Sequence, residues 1–185
     1  YDDKYFGEIA FRYDGSSNFP DAGRWGFFPS ISAAWRVTQE SFLSNFSDRV
    51  GDLKLRASYG VLGNQNVGPY QYQTSYFNYA NAYGFNNEIV GGAGFSLGNP
   101  DITWEKAATF NVGVDAELLQ RRLTLSLDYF DKTTTDILVA RDDVPEIFGA
   151  GFPNYNAAEV RNRGWEVNVN YRLRGQLFNH SFNFN

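Results

Sequence analysis

The side chains best able to do chemistry in this chain are few and scattered. Gly91, Gly92, Gly94 and Gly98 lie in GGAGFSLGNP (Gly91–Pro100), but their spacing is not that of a dinucleotide fingerprint and no helix is expected after them. That stretch reads as a flexible surface loop. Asp142, Asp143 and Glu146 bring three carboxylates into one connection, the donor type of a hard cation. Acids grouped in a loop are ordinarily solvated, and Asp2 and Asp3 read the same way. His180 is the only histidine and has no Ser or Cys nucleophile placed to pair with it. Arg161 and Arg163 read as lumen or rim charges balancing acids rather than as an anion site. The sequons Asn45-Phe46-Ser47 and Asn179-His180-Ser181 match by pattern alone. No catalytic residue, metal set or cofactor is expected.

One segment invites a ligand. YQYQTSYFNYANAYGF (Tyr70–Phe85) places Tyr70, Tyr72, Tyr76, Tyr79 and Tyr83, with Phe77 and Phe85, among Gln and Asn. Aromatic faces beside amide side chains suit a sugar or a peptide. The alternative is a protruding hairpin packed on its own aromatics.

Composition narrows the class. Methionine is absent, even from position 1, as is cysteine. The first absence suggests a piece of a longer polypeptide, and the second excludes disulfides and thiolate-bound metal. No apolar run approaches the roughly 20 residues of a spanning helix. Mean hydropathy is −0.43, yet 18% of residues are aromatic, a combination that suits a barrel with a polar interior and aromatic girdles. A net charge of −5 disfavours nucleic acid as a partner.

The elements that must position these residues are strands. In TFNVGVDAELLQRRLTLSLDYF (Thr109–Phe130), Phe110, Val112 and Val114 alternate with polar residues, and after a turn so do Leu123, Leu125, Leu127 and Tyr129. The same period of two marks seven long strands, near Tyr5–Asp14, Gly26–Val37, Asp52–Leu62, Ile102–Ala116, Arg122–Ala140, Glu159–Leu173 and from Ser181 onward. A turn or two of helix is expected within Gln39–Asp48. Strands of globular proteins commonly run about 5–6 residues, whereas a tilted membrane-crossing strand needs about 9–11. Most of these are of the second kind. Connections alternate long and short, as outside loops and periplasmic turns do, with Gly63–Asp101 the longest. Charges fall on the polar face, except Lys106 and Asp131 near the outer strand ends, where they can snorkel toward headgroups.

Trp25, Trp104 and Trp165 are expected at the outer membrane interface and Trp35 at the inner one. The fold class is therefore all-β, an antiparallel transmembrane β-barrel segment in which residues 1–185 belong to one barrel domain. A soluble β-sandwich, with the apolar faces packed on a second sheet, is the competing fold. A passive porin or a surface adhesin on a similar barrel is the competing function.

Several strings together carry a family resemblance: RYDGSSNF (Arg12–Phe19), RWGFFPSISAAWRVTQESFL (Arg24–Leu43), LKLRASYGVLGNQN (Leu53–Asn66), NPDITWEKAATFNVGVDAELLQRRLTLSLDYFDKTTTDIL (Asn99–Leu138) and NRGWEVNVNY (Asn162–Tyr171). They resemble SusC/RagA-family TonB-linked outer-membrane proteins. The resemblance implies about seven strands of a barrel of about 22 strands in the bacterial outer membrane of Bacteroidetes. It implies import of oligosaccharides or peptides beneath a SusD-like surface lipoprotein, energised by TonB–ExbB–ExbD through an N-terminal box. Neither the plug domain nor the TonB box is found in these residues. The family offers no catalytic residue to carry over.

Overall fold

The computed structural model of the chain describes residues 1–43, 50–141, 145, 147, 149–174 and 178–185. Among the described residues, alternating side chains build nine strands: β1 (Tyr5–Gly15), β2 (Trp25–Arg36), β3 (Val50–Asn64), β4 (Ser75–Phe85), β5 (Glu88–Ser96), β6 (Glu105–Leu118), β7 (Leu123–Val139), β8 (Tyr155–Arg174) and β9 (Asn179–Phe184). Seven form one antiparallel sheet in the order β1-β2-β3-β6-β7-β8-β9, and β4 and β5 pair only with each other. The sheet is open, with β1 and β9 at its edges.

Register keeps each face uniform. One ladder row runs Tyr5–Trp35–Leu55–Val114–Leu127–Val167, and the next runs Gly7–Ala33–Ala57–Val112–Tyr129–Trp165. Because directly opposed residues share a face, this face is apolar from strand to strand. Among the described residues no second sheet packs against it: Ile9 is 78% exposed and Trp165 68%. A soluble sandwich would bury these side chains, so the sandwich expectation fails.

The expected strands are present with shifted ends. β8 runs to 20 residues and β7 to 17. Val37 leaves the second strand for a 3-10 turn, Val37–Gln39, followed by another at Ser41–Leu43. These account for part of the helical expectation in 39–48, whose remainder falls outside the described residues. His180 belongs to β9, paired with Leu173 and stacked on Phe182, rather than to a turn.

Two corrections concern the connection Gly63–Asp101. It is not a plain loop: β4 and β5 form a hairpin there, as the protruding-hairpin alternative expected. Its turn, Asn86-Asn87, has positive φ at both positions (48° and 66°), the conformation of a two-residue turn that asparagine tolerates. The glycine-rich stretch is likewise mostly strand, since Gly91, Gly92 and Gly94 lie within β5. Ile102–Trp104 precede β6 instead of opening it, and they belong to a small core described below.

Candidate functional site: a two-faced wall and its outer collar

The apolar face has aromatic borders. Trp25 opens β2 and stacks on Tyr13 at 5.2 Å. Trp35, near the other end of β2, stacks on Tyr5 at 6.4 Å. Ten positions separate the two tryptophans, about 33 Å along a strand at about 3.3 Å per residue. A tilt of about 40° reduces this to about 25 Å along the membrane normal, the height of a barrel's apolar band. Trp165 packs on Tyr129 at 4.9 Å. Arg163 and Arg161 follow it on the same side. Arg161 Nε donates to Asp131 Oδ1 at 2.9 Å, and Lys106 lies 3.6 Å from Asp136. The two charges expected to snorkel are thus paired within the protein.

At the opposite end the polar tips of the inner aromatics converge. Tyr5 Oη donates to Glu40 Oε1, and Trp35 Nε1 donates to the same oxygen at 3.2 Å. The Tyr5 hydrogen bond, followed by that from Trp35, holds the Glu40 carboxyl below the usual glutamate range.

The polar face carries an ion-pair cluster. Arg56 on β3 reaches Asp115 on β6 through Nε (3.0 Å) and Asp128 on β7 through Nη2 (2.6 Å). Ser126 Oγ donates to Asp115 at 2.7 Å. Arg56, Gly113 and Asp128 occupy one ladder row, so the guanidinium crosses β6 directly over Gly113. A Cβ at that glycine would lie 2.5 Å from Asp128 Oδ1 and 2.7 Å from Arg56 Cζ. Gly113→Ala is therefore expected to displace the pair and to cost about 1–2 kcal/mol, a charge-assisted hydrogen bond discounted for the partly exposed guanidinium. Denaturant titration of the bilayer-inserted protein checks this, and Asp128→Asn should cost less in the Gly113→Ala background than alone.

Trp104 departs from its expected place. It is 5% exposed and packs with Phe19, Phe28 and Ile102, the first and last fully buried. A ring enclosed by its own chain has no surface left for headgroups. The ladder between β2 and β3 stops at Ser30–Gly60, whereas β3 stays paired with β6 as far as Asn64–Glu105. The cluster sits at these splayed outer ends. Trp104 Nε1 donates to the Arg24 carbonyl at 3.1 Å, Asn18 to that of Val67 at 3.2 Å and Asn99 to that of Asn154 at 2.9 Å. Asn156 accepts from Thr103 N–H and donates to the Thr103 carbonyl. Three outside connections are thereby knitted into one collar.

The tyrosines of Tyr70–Phe85 do not share one surface. Tyr72 packs against the collar core. Tyr70 lines a cleft of about 350 Å³ with Gln71, Gln73, Ser75, Ser96 and Asn154. In the hairpin, Phe77, Tyr79, Tyr83 and Phe85 oppose Gly94, Gly92, Val90 and Glu88 and share a face, while Tyr76 opposes Phe95 on the other. Tyr76, Tyr79 and Tyr83 are exposed. Asp142, Asp143 and Glu146 lie outside the described residues, as does the first sequon.

An open antiparallel sheet with an exposed apolar face, aromatic borders about 25 Å apart and an ion-paired polar face is a section of an outer-membrane β-barrel wall. The TonB dependent receptor-like β-barrel family model matches residues 1–185, and the chain belongs to that family. It is 38% identical to TonB-dependent receptor P39 of Formosa agariphila over its full length, covering 17% of that protein. It is 32% identical to TonB-dependent receptor SusC of Bacteroides thetaiotaomicron over 90% of the chain and 17% of SusC. In solved structures it superposes on the RagAB peptide transporter with a TM-score of 0.82 at 27% identity, covering 99% of this chain and 20% of that one. The siderophore receptor PirA of Acinetobacter baumannii shares the fold alone (TM-score 0.59, 14% identity). The chain spans about a sixth of the curated relatives it matches. The SusC/RagA resemblance and the outer-membrane location hold, and the apolar face of Thr109–Phe130 is the one that meets lipid.

Proposed function

We propose that these residues form part of the barrel wall of a TonB-dependent importer of oligosaccharides or peptides that works with a SusD-like surface lipoprotein. Trp25, Trp35 and Trp165 anchor the wall at the two membrane interfaces, and the polar face lines the route inward. The collar holds the Tyr70–Phe85 aromatics on the outside, where ligand and lipoprotein arrive. The carrying observation is the two-faced sheet, lipid-ready on one side and ion-paired on the other, in a chain related to SusC and to the RagAB transporter. A passive porin needs no energy, so uptake separates the readings. Cells carrying the complete protein should take up labelled oligosaccharide or peptide, and removal of TonB should abolish that uptake. Uptake that persists without TonB would sink the importer reading. A SusD-like lipoprotein should also co-purify with the complete protein.

A further inference from the structure

We propose that the β4–β5 hairpin is a contact site selective for neutral glycans, and that it discriminates against uronate-bearing polysaccharides and free-ended peptides. The inference deepens the importer reading and rests on it for biological meaning, but it concerns binding, which is measured separately.

The first observation is charge. Residues 64–100 hold a single charged side chain, Glu88, at the hairpin tip. An anionic polysaccharide is recognised by Arg or Lys forming charge-assisted hydrogen bonds, and a peptide's ionised termini need compensating charges when they lose water. This segment supplies no cation. Amides are abundant instead: Gln71 and Gln73 enter the cleft at the hairpin base, and Asn78, Asn81, Asn86 and Asn87 lie along the hairpin. An amide both donates and accepts, as a sugar hydroxyl does.

The second observation is the aromatic strip. Phe77 and Tyr79 stand 5.2 Å apart between centroids, and Tyr83 and Phe85 6.2 Å. Gly94, opposite Phe77, gives that ring room to lie across the strand. A Cβ at Gly94 would fall 2.3 Å from the Phe77 ring. The result is a set of exposed rings, Phe77 and Tyr79 edge-to-face and Tyr83 and Phe85 tilted, in two pairs on either side of an irregularity in the ladder. An uncharged pyranose can lay its C–H surface on an exposed ring while its hydroxyls stay hydrogen-bonded. β4 and β5 pair only with each other, and an isolated two-stranded hairpin is marginal in water. A ligand laid on the strip would cover exposed apolar surface that the rest of the chain leaves open.

The test uses the complete outer-membrane protein in detergent and titration calorimetry with three probes of matched length: neutral hexose oligomers, uronic-acid oligomers and free-ended peptides. The neutral oligomers should bind and the other two should not. Tyr79→Ala/Tyr83→Ala should weaken neutral binding about ten- to hundredfold, whereas Tyr79→Phe/Tyr83→Phe, which keeps both rings, should stay within a few-fold of wild type. Heat-modifiable mobility of each variant verifies that the barrel is folded. Preference for uronates or peptides would overturn the neutral-glycan assignment, and neutral binding insensitive to the alanine pair would overturn the hairpin as its site. Either result leaves TonB-dependent uptake intact. Neutral binding lost with the alanine pair, in a protein whose uptake ignores TonB, would support the hairpin site while the importer reading failed.

Discussion

Replacing Trp104 by alanine is expected to cost about 3–5 kcal/mol, as truncation of an enclosed aromatic does, and the loss should be confined to the outer collar. The ring fills the space where β2 and β3 part and touches Phe19 at 5.1 Å and Phe28 at 5.4 Å between centroids. Its indole N–H satisfies the Arg24 carbonyl. Trp104→Ala therefore opens a cavity and strands an acceptor together, so the connection 16–24 loses its hold on 99–104. The β4–β5 hairpin hangs between Val67 and Asn99, two residues that the collar grips, and it should become mobile as a unit. Hydrogen exchange on the complete protein checks this. Amides of the collar and hairpin should lose protection by about a hundredfold or more, following from 3–5 kcal/mol of local stability, while those of the β6–β7 ladder keep theirs. Trp104→Phe should lose much less. Equal loss of protection in β6 and β7 would mean that the collar and the wall unfold together.

Ile31→Arg tests the other face. Ile31 is exposed, lies between Trp25 and Trp35 on β2, and is opposed by Ile9 and Tyr59. It therefore sits near the middle of the apolar band, where an arginine facing lipid costs about 2–4 kcal/mol. The neighbouring Ser32 points to the opposite face, and Ser32→Arg should cost little. Reversible unfolding of the complete protein in phospholipid vesicles measures both. Equal penalties at Ile31 and Ser32 would contradict the assignment of the two faces. The contrast does not depend on the absolute scale, because adjacent residues share strand and depth and differ in the side they present.

The wall was legible because lipid and lumen impose opposite chemistry on alternate residues. Each strand therefore wrote its own orientation, and the rows found in the structure match the faces read from Phe110, Val112 and Val114 or from Leu123, Leu125 and Leu127. The hairpin was less legible. Glycines at 91, 92 and 94 look like loop, and β4 carries aromatics on both faces, so no single polar face announces a strand. The available signal was Asn86-Asn87 between the aromatic run of β4 and the apolar Ile89-Val90. Trp104 was misplaced for a related reason: tryptophan at the end of a barrel strand is usual at an interface, and one residue type serves headgroups and cores equally well.

The sequence by itself determined the all-β class, the two-faced strands, the outer-membrane location and the scarcity of charge around the outside aromatics. These are local properties, carried by each residue's type and its parity along the chain. Only the tertiary structure decided that Arg56 crosses Gly113 to reach Asp128, 72 positions further along. It alone decided that Trp104 closes a collar joining three connections, and which of the tyrosines share a face. Those outcomes depend on register between strands distant in sequence, which bring together side chains that no local pattern relates.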